Sequence, residues 1–492
     1  MADWHDLGVQ PGSQLPSYEE LVAVVAELRV EVQRLREDNQ RLGEDNQRLR
    51  VENAELTRRL GLNSTNSSKP PSSDGLGRQT PKPRGGGSGR RRGKQPGSSG
   101  STLQLVGDPE FTVVHRPDRC VNPVCGADLR DAVEYARQRR QVFELPEPKI
   151  VVTEHQLVAV RCWCGQVSEA APPAGVTGRA QYGPGVKAAA VYGRGAQFLP
   201  FARVSRLLGD LCGAPVSTGF VHAVVTEAAR RLGPFTSHLA ALLHVERVLH
   251  VDETPARLDG GFKYVHVACT PMLTSFHVGG RSKADIDAGG VLPGFDGTIV
   301  RDGYAAYQHL RDAEHAWCGA HLIRDLRAVH ETDPAGQQWA EVMADTLLMA
   351  KTMTEQAVAA GRSTLTEAEV SHIRACYAGA LAYGRQQNPP ERHGELSKAG
   401  KLVERFHQHR GMILRFVVDL AVPFTNNQAE RDLRPVKLQQ KISGTWRTLQ
   451  GLADFAAVRS YLSTAAKHGQ DALDVLKQLF TTGPWMPAAL SS

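Results

Sequence analysis

The sequence holds no run of eighteen apolar residues, although 41% of its 492 residues are hydrophobic. Nothing in it reads as a membrane span, while the apolar content is ample for the cores of two or three domains. Its first residues, MADWHDLGVQPGSQ, lack a basic start followed by an apolar stretch, so no secretory signal is expected and a cytoplasmic location is the default. Cysteine is scarce. Eight in the whole chain are too few for a disulfide scaffold. Nor is there a large excess of charge of one sign, and a net charge of +6 excludes no class of partner.

What is present begins with a repeat. Leu21, Leu28, Leu35, Leu42, Leu49 and Leu56 recur every seven residues. With these at d, Val25, Val32, Asn39, Asn46, Asn53 and Leu60 fall at a, the pattern of a two-stranded parallel coiled coil over residues 15–62. The Asn layers fix register at a cost in stability, so a weakly zipped homo-oligomer is expected. From 63 to 101 the chain is dense in Ser, Pro, Gly and Arg and cannot bury enough apolar surface to order itself. Eight basic residues lie between Lys69 and Lys94 against one acid, Asp74. This segment, with Arg90, Arg91, Arg92 and Lys94, reads equally as a tether for DNA phosphates or as a solvated linker.

Residues 102–172 form a small unit in which the Val- and Thr-rich stretches FTVVHRPDRC, RRQVFELP and KIVVTEHQLVAVRCWCG predict strands. Cys120 with Cys125, and Cys162 with Cys164, make two close pairs. Four thiolates satisfy a tetrahedral zinc, which would also supply folding energy to so small a unit. The spacings, four residues within the first pair and one within the second, differ from the usual two, and four unrelated thiols are the other reading. From 173 to 245 the pattern is helical. A break at Gly213–Pro215 and a helix start at Ser217–Thr218 divide two helices, either a DNA-binding helix-turn-helix or an ordinary hairpin.

Beyond residue 246 the apolar period changes. RVLHVDETPARL predicts a strand ending in Asp252, and GFKYVHVACT and TSFHVGG predict two more, joined by a short turn. A short helix around Lys283–Gly289 follows, then GTIVRDGYAAY with Asp302 at the end of a strand, EHAWC as a fifth strand, and a helix from GAHLIRDLRAVH. That order is the one of a ribonuclease H-like fold, in which the first and fourth strands lie side by side, so Asp252 and Asp302 are expected to face each other. Neighbours on a strand point to opposite faces, which turns Glu253 away. Paired strand-end carboxylates suit hard cations: two magnesium ions about 4 Å apart activate an oxygen nucleophile and stabilise the leaving oxygen at a phosphodiester. A third carboxylate completes such a site. The candidate is Glu430 in PFTNNQAERDLRPVKLQQ, in the first turn of a helix capped by Asn426 or Asn427. Arg431, Arg434 and Lys437 follow at spacings that set cations near one face, a surface for DNA phosphates. Taken alone, the string would read as a solvated charged helix.

Six features in this order resemble the transposases of the insertion sequence 66 family, almost from end to end. They are the N-terminal heptads, NSSKPPSSD at 66–74, the paired cysteines, HVDETP at 250–255, RDGYAAY at 301–307 and TNNQAERDLRP at 425–435. The resemblance implies a multidomain α/β protein whose ribonuclease H-like catalytic domain spans 246–485. It carries an Asp-Asp-Glu triad onto Asp252, Asp302 and Glu430, which would hold two magnesium ions, with manganese able to substitute. It implies a DNA transposase that cleaves the 3′ ends of its element and transfers strands into target DNA. The 128 residues from Asp302 to Glu430 call for a helical insertion at about 320–420. Cys318 and His321, in WCGAHL, resemble a Cys-x-x-His feature of such transposases, either an accessory to the site or a buried Cys with a hydrogen-bonded His. The partners implied are element ends and target DNA at the nucleoid, and companion proteins from neighbouring reading frames. The competing class is an inactive or domesticated DNA-binding protein in which the coiled coil, zinc unit and helix pair do the work.

Overall fold

A computed structural model describes residues 17–61, 103–146, 148–390 and 393–488. The expected linker over 63–101, with Arg90, Arg91, Arg92 and Lys94, lies outside the described residues. The chain divides into two compact units, one made of residues 77–174 and 205–216 and the other of the remainder. No helix among the described residues is long and apolar enough to cross a membrane.

The N-terminal heptads form one helix, α1 (Tyr18–Gly61). Leu28, Leu35, Leu42, Leu49 and Leu56 each expose about half of their surface, between 49% and 58%, so the stripe that the repeat creates is left facing water.

In the smaller unit the expected strands are mostly not made. Only β1 (Ala159–Arg161) forms from those stretches, paired antiparallel with β2 (Val167–Glu169). Val113, Val142 and Val151 stand exposed, so the β-favouring residues have no neighbouring strand or core to satisfy, and propensity alone does not pair them. The β1–β2 hairpin carries Cys162 and Cys164 in its turn, where the Cys162 N–H donates to Gln166 O at 2.8 Å. Cys120 and Cys125 lie in a second loop, closed by an isolated bridge between Arg119 and Asp128 and by Cys120 N–H donating to Ala127 O at 2.9 Å.

The helical stretch resolves into α2 (Pro184–Gly195), α3 (Phe201–Cys212), α4 (Thr218–Arg231) and α5 (Gly233–His244). Ser217 caps α4, its hydroxyl accepting from Phe220 N–H at 3.1 Å, where the sequence placed a helix start. Most of α3 belongs to the smaller unit and all of α4 to the larger, so the two helices read as a helix-turn-helix fall to different units.

The larger unit is built on a five-stranded mixed sheet. Its strands are β3 (Val248–Leu258), β4 (Gly261–Cys269), β5 (Thr274–Gly279), β6 (Thr298–Arg301) and β7 (Glu314–Trp317), with α6 (Lys283–Asp287) between β5 and β6. The order across the sheet is β5-β4-β3-β6-β7. β4 pairs antiparallel with both β3 and β5, while β6 pairs parallel with both β3 and β7. Asp259 and Gly260 form the two-residue turn between β3 and β4, and Gly260 takes φ +81°, a conformation that such hairpin turns require and glycine accepts. β3 does not end at Asp252 as expected. Its antiparallel pairing with β4 carries it on to Leu258, and only the parallel pairing with β6 stops early, at His250 against Val300.

After β7 come α7 (Gly319–Thr332), α8 (Gln338–Ala359), α9 (Glu367–Gln387), α10 (Lys398–Gln408), α11 (Arg410–Ile413) and α12 (Arg415–Val418). This is the helical segment expected at 320–420. It shares one core with the β6–β7 edge, including Trp317, Leu326, Trp339, Tyr377 and Phe406. The chain then returns as α13 (Asn427–Ser443), α14 (Leu449–Lys467) and α15 (Ala472–Thr481). A second core joins Ala256, Val265, Val267 and Phe276 of the sheet to Leu433, Val436 and Phe455 of α13 and α14.

A nearly buried ion pair ties these layers. Lys467 Nζ meets Asp432 Oδ2 at 2.6 Å and donates to Thr270 O and Leu273 O at 2.7 and 2.9 Å, while Thr274 Oγ1 donates to Asp432 Oδ2 at 2.8 Å. Lys467→Met leaves the Asp432 charge without its cation and takes a donor from the Thr270 carbonyl, while Leu273 O keeps the Thr270 N–H. It is expected to cost about 3–5 kcal/mol, read by urea denaturation, and Asp432→Asn on that background should recover part of the loss. Two single variants whose costs simply add would show the pair to be uncoupled.

Candidate active site

The parallel register of β3 and β6 positions the first two acids. Val248 pairs with Thr298, Leu249 with Ile299 and His250 with Val300. Two residues beyond the last pair come Asp252, still within β3, and Asp302, one residue past the end of β6, so the register carries both to the place where the parallel ladder ends. Asp252 has the same parity along β3 as Ala256, which packs in the core under α13, so its side chain rises on the α13 face. The Glu253 N–H donates to Asp252 Oδ1 at 2.8 Å, and the Tyr304 N–H donates to Asp302 Oδ1 at 2.8 Å. Burial is the main cause that holds the Asp252 carboxyl well above the usual range, and the charges of Glu253, Asp302 and Glu430 add to it. The fields of the three sequence-selected acids therefore meet at Asp252.

Behind Asp302 lies an arginine that sequence reading passed over. Arg301 is fully buried. Its Nη1 donates to the carbonyls of Asp302 and Tyr304 at 2.8 and 3.1 Å, and its Nε to His315 Nδ1 at 3.0 Å. These bonds fix the turn that presents Asp302. The hydrophobic surroundings lower the guanidinium's pKa to about 10, and it remains a cation near neutrality.

Glu430 stands in the first turn of α13, where the helix N-terminus favours negative charge. Its Oε1 lies 3.8 Å from Arg324 Nη2 and 3.9 Å from His321 Nδ1, both on α7. The His321–Arg324 spacing of three puts both on one helix face, a signal that the sequence offered and only half of which was taken up. Cys318 is buried, but its sulfur accepts the Asn426 N–H at 3.1 Å and has no side-chain bond to His321 among the described contacts. Asn426 does occupy the helix-capping position, yet its side chain makes no cap. Its Nδ2 donates to Val251 O at 2.8 Å and its Oδ1 meets His250 Nδ1 at 2.9 Å. Forgoing the cap costs about 1 kcal/mol, and the amide serves β3 instead.

Glu253 lies on the opposite face from Asp252. Arg281 Nε donates to its Oε1 at 2.8 Å, and Tyr307 Oη donates to its Oε2 at 2.9 Å. The cations read from the same α13 string divide. Arg431 and Arg434 are exposed, whereas Lys437 Nζ donates to Pro255 O at 3.0 Å and burial pushes its pKa down. Among the described residues no three His, Cys, Asp or Glu side chains stand close enough together to hold a metal ion. That covers the two cysteine pairs as well as the three acids. In the hairpin turn, backbone and side-chain hydrogen bonds from Cys164 draw the Cys162 thiol below its ordinary pKa.

Comparison with known proteins adds a family. The transposase IS66 family matches residues 179–454, which take in Asp252, Asp302 and Glu430, and a family of unknown function (DUF6444) matches residues 13–104. Over 200 residues the chain is 26% identical to an uncharacterized protein, y4qI, of Sinorhizobium fredii (strain NBRC 101917 / NGR234). The aligned stretch is 39% of this chain and 36% of that protein, so the chain spans about a third of the relative's length.

The raised Asp252 pKa has a consequence for stability. The folded chain keeps a proton that the unfolded chain releases near its ordinary value, about 4. The stabilisation is complete below that value and is lost as pH rises through the higher folded one. Without divalent cations, the wild-type protein is therefore expected to lose stability relative to Asp252→Asn as pH rises above about 4 and through the raised folded value. Thermal melts of the two proteins that stay parallel across this range would show that Asp252 ionises as it does in the unfolded chain.

Proposed function

Because the chain belongs to the transposase IS66 family, we propose that it is a DNA transposase that cuts the ends of its element and joins them to target DNA, using two divalent cations held by Asp252, Asp302 and Glu430. The observation that carries this reading is the β3–β6 register, which carries two aspartates to the place where the parallel ladder stops, with Glu430 acting electrically on the first of them. Mutual repulsion on top of burial is a costly arrangement for a structural role. The donor set is all carboxylate, which suits magnesium, with manganese able to substitute. Divalent ions held by these carboxylates would supply an activated oxygen nucleophile and would stabilise the departing oxygen of a phosphodiester. The strand order β5-β4-β3-β6-β7 supports a ribonuclease H-like catalytic domain with α7 to α12 inserted before its last acid.

The chain's own groups have separable roles. Backbone N–H bonds orient Asp252 and Asp302, and Arg324 draws the Glu430 carboxylate by charge, with His321, whose pKa burial lowers, beside it. Arg431 and Arg434, exposed one and four residues beyond Glu430, take DNA phosphates beside the acids. Lys437 gives one N–H to Pro255 O and keeps two further donors for the same role.

Two accessory features support assembly around DNA. The half-exposed leucine stripe of α1 is satisfied by pairing with a second copy as a coiled coil. Among its described residues the smaller unit has two short strands and many exposed apolar side chains, Trp163 at 98% among them. A zinc ion on Cys120, Cys125, Cys162 and Cys164 supplies the folding energy that such a core lacks.

Cleavage is tested on end-labelled duplex DNA from either flank of the chain's own gene, with magnesium and with manganese. Glu430→Gln keeps shape but loses the charge that holds a hard cation, so the rate is expected to fall about a thousandfold, roughly 4 kcal/mol, with DNA affinity intact. Glu253→Gln should keep most of the activity, since its partners lie on the other face. Normal cutting by Glu430→Gln sinks the triad, and a wild-type protein that binds but never cuts favours a DNA-binding role. Native mass spectrometry reads both accessory features at once: at least two chains with one zinc each, a single chain for protein starting at Asn63, and no zinc in Cys162→Ser. A wild-type protein observed as one zinc-free chain removes both.

A further inference from the structure

Asn426 exposes 1% of its surface, and its polar groups reach three separate segments of the chain. The Val251 carbonyl can only accept, so the amide nitrogen must face it, and the Asn426 oxygen must then face His250. An oxygen in that place needs a donor, which fixes the hydrogen on His250 Nδ1. The Asn426 backbone N–H donates to Cys318 Sγ at 3.1 Å, and its carbonyl accepts from Glu430 N–H at 3.3 Å. His250 and Val251 immediately precede Asp252, Glu430 lies one helical turn beyond Asn426, and Cys318 leads into the helix that carries His321 and Arg324. Gly319 shows how tightly this last segment is pressed in. A Cβ there would lie 2.2 Å from the Phe424 ring, and its N–H already donates to Phe424 O at 2.8 Å.

We propose that Asn426, with His250, is a positioning residue that sets the separation of the Asp252 and Glu430 carboxylates and thereby their joint grip on a divalent cation. The inference rests on the reading of those acids as cation ligands. It follows from the connectivity of the node. Without the Asn426 side chain, α13 and β3 keep their apolar contacts through Leu433 and Val436, but among the described residues no other side-chain hydrogen bond ties the first turn of α13 to the strand at the level of Asp252. Sites for hard cations lose function when their supporting groups are loose by a fraction of an ångström.

Two neutral replacements at His250 discriminate. His250→Asn places an amide N–H close to where Nδ1 stood, whereas His250→Gln carries it one bond further out. Asn426→Asp keeps shape but sets a carboxylate oxygen against the Val251 carbonyl. The readouts are manganese binding to the full-length protein without DNA, followed by the electron paramagnetic resonance of the free ion, and cleavage of the flanking DNA as a function of magnesium. Asn426→Asp and His250→Gln are expected to weaken manganese binding at least tenfold and to lower kcat at least tenfold, with KM for DNA within about twofold. His250→Asn should recover most of both. A purely structural role would lower the melting temperature and leave the metal dependence alone, with Asn and Gln at position 250 behaving alike, and that result overturns the proposal. Wild-type manganese affinity in folded Asn426→Asp overturns it too. Glu430→Gln is run beside them: if it binds manganese and cuts normally, the ligand assignment itself fails. If it is defective while the node variants are normal, only the positioning role falls.

Discussion

Parallel pairing between β3 and β6 is the constraint from which the site follows. Three backbone pairings, ending at His250 with Val300, set the register on which Asp252 and Asp302 follow. Burial raises the Asp252 pKa most, and the like charges of Glu253, Asp302 and Glu430 add to it. The fold tolerates this because backbone ladders, not the acids, hold the strands. β4 continues along β3 past Asp252 to Leu258, so the strand stays rigid where its parallel partner has stopped. Arg301, buried behind Asp302, and Asn426, buried between His250 and Val251, do the same for the turn and helix that bring the other acids.

Charged residues around this centre divide by what they touch rather than by type. Asp432 lies two residues from Glu430 on the same helix, yet Lys467, Thr274 and Gln428 consume its carboxylate. It is a structural acid joining helix to sheet. Glu253 adjoins Asp252 but is spoken for by Arg281 and Tyr307. Lys437 shares a string with Arg431 and Arg434, and its bond to Pro255 sets it apart. Glu430 differs from both other acids. The basic side chains beside it, Arg324 and His321, stand at 3.8 and 3.9 Å, too far for a strong hydrogen bond, which leaves its oxygens uncommitted as the proposed ligand role requires.

The smaller unit shows the opposite balance. Its hairpin and its second loop are each closed by backbone bonds around a cysteine pair, while Phe111, Val142 and Trp163 remain in water. Among the described residues of this unit, local structure is present without a core to hold it. That is the energetic position of a domain awaiting a metal or a partner.

The sequence by itself determined what depends on neighbours along the chain. Heptad spacing gave α1, the Ser217 start gave α4, the Asp259–Gly260 turn joined β3 to β4, and apolar alternation separated Asp252 from Glu253. Each is a local rule about period, cap or turn. The motif strings also marked Asp252, Asp302 and Glu430 before any contact was known. Tertiary structure decided everything that rests on competition for a hydrogen bond or on a neighbour distant in sequence. The valines near residues 113 and 151 had β propensity but found no partner. Asn426 stood at a helix start and was drawn across to Val251, 175 positions away in the chain. Lys437 was taken up by Pro255, and Arg301 and Arg324 acquired roles only when strand ends and helices converged. A side chain's partner is set by which acceptor the packed fold brings within about 3 Å, and no period along the chain encodes that distance.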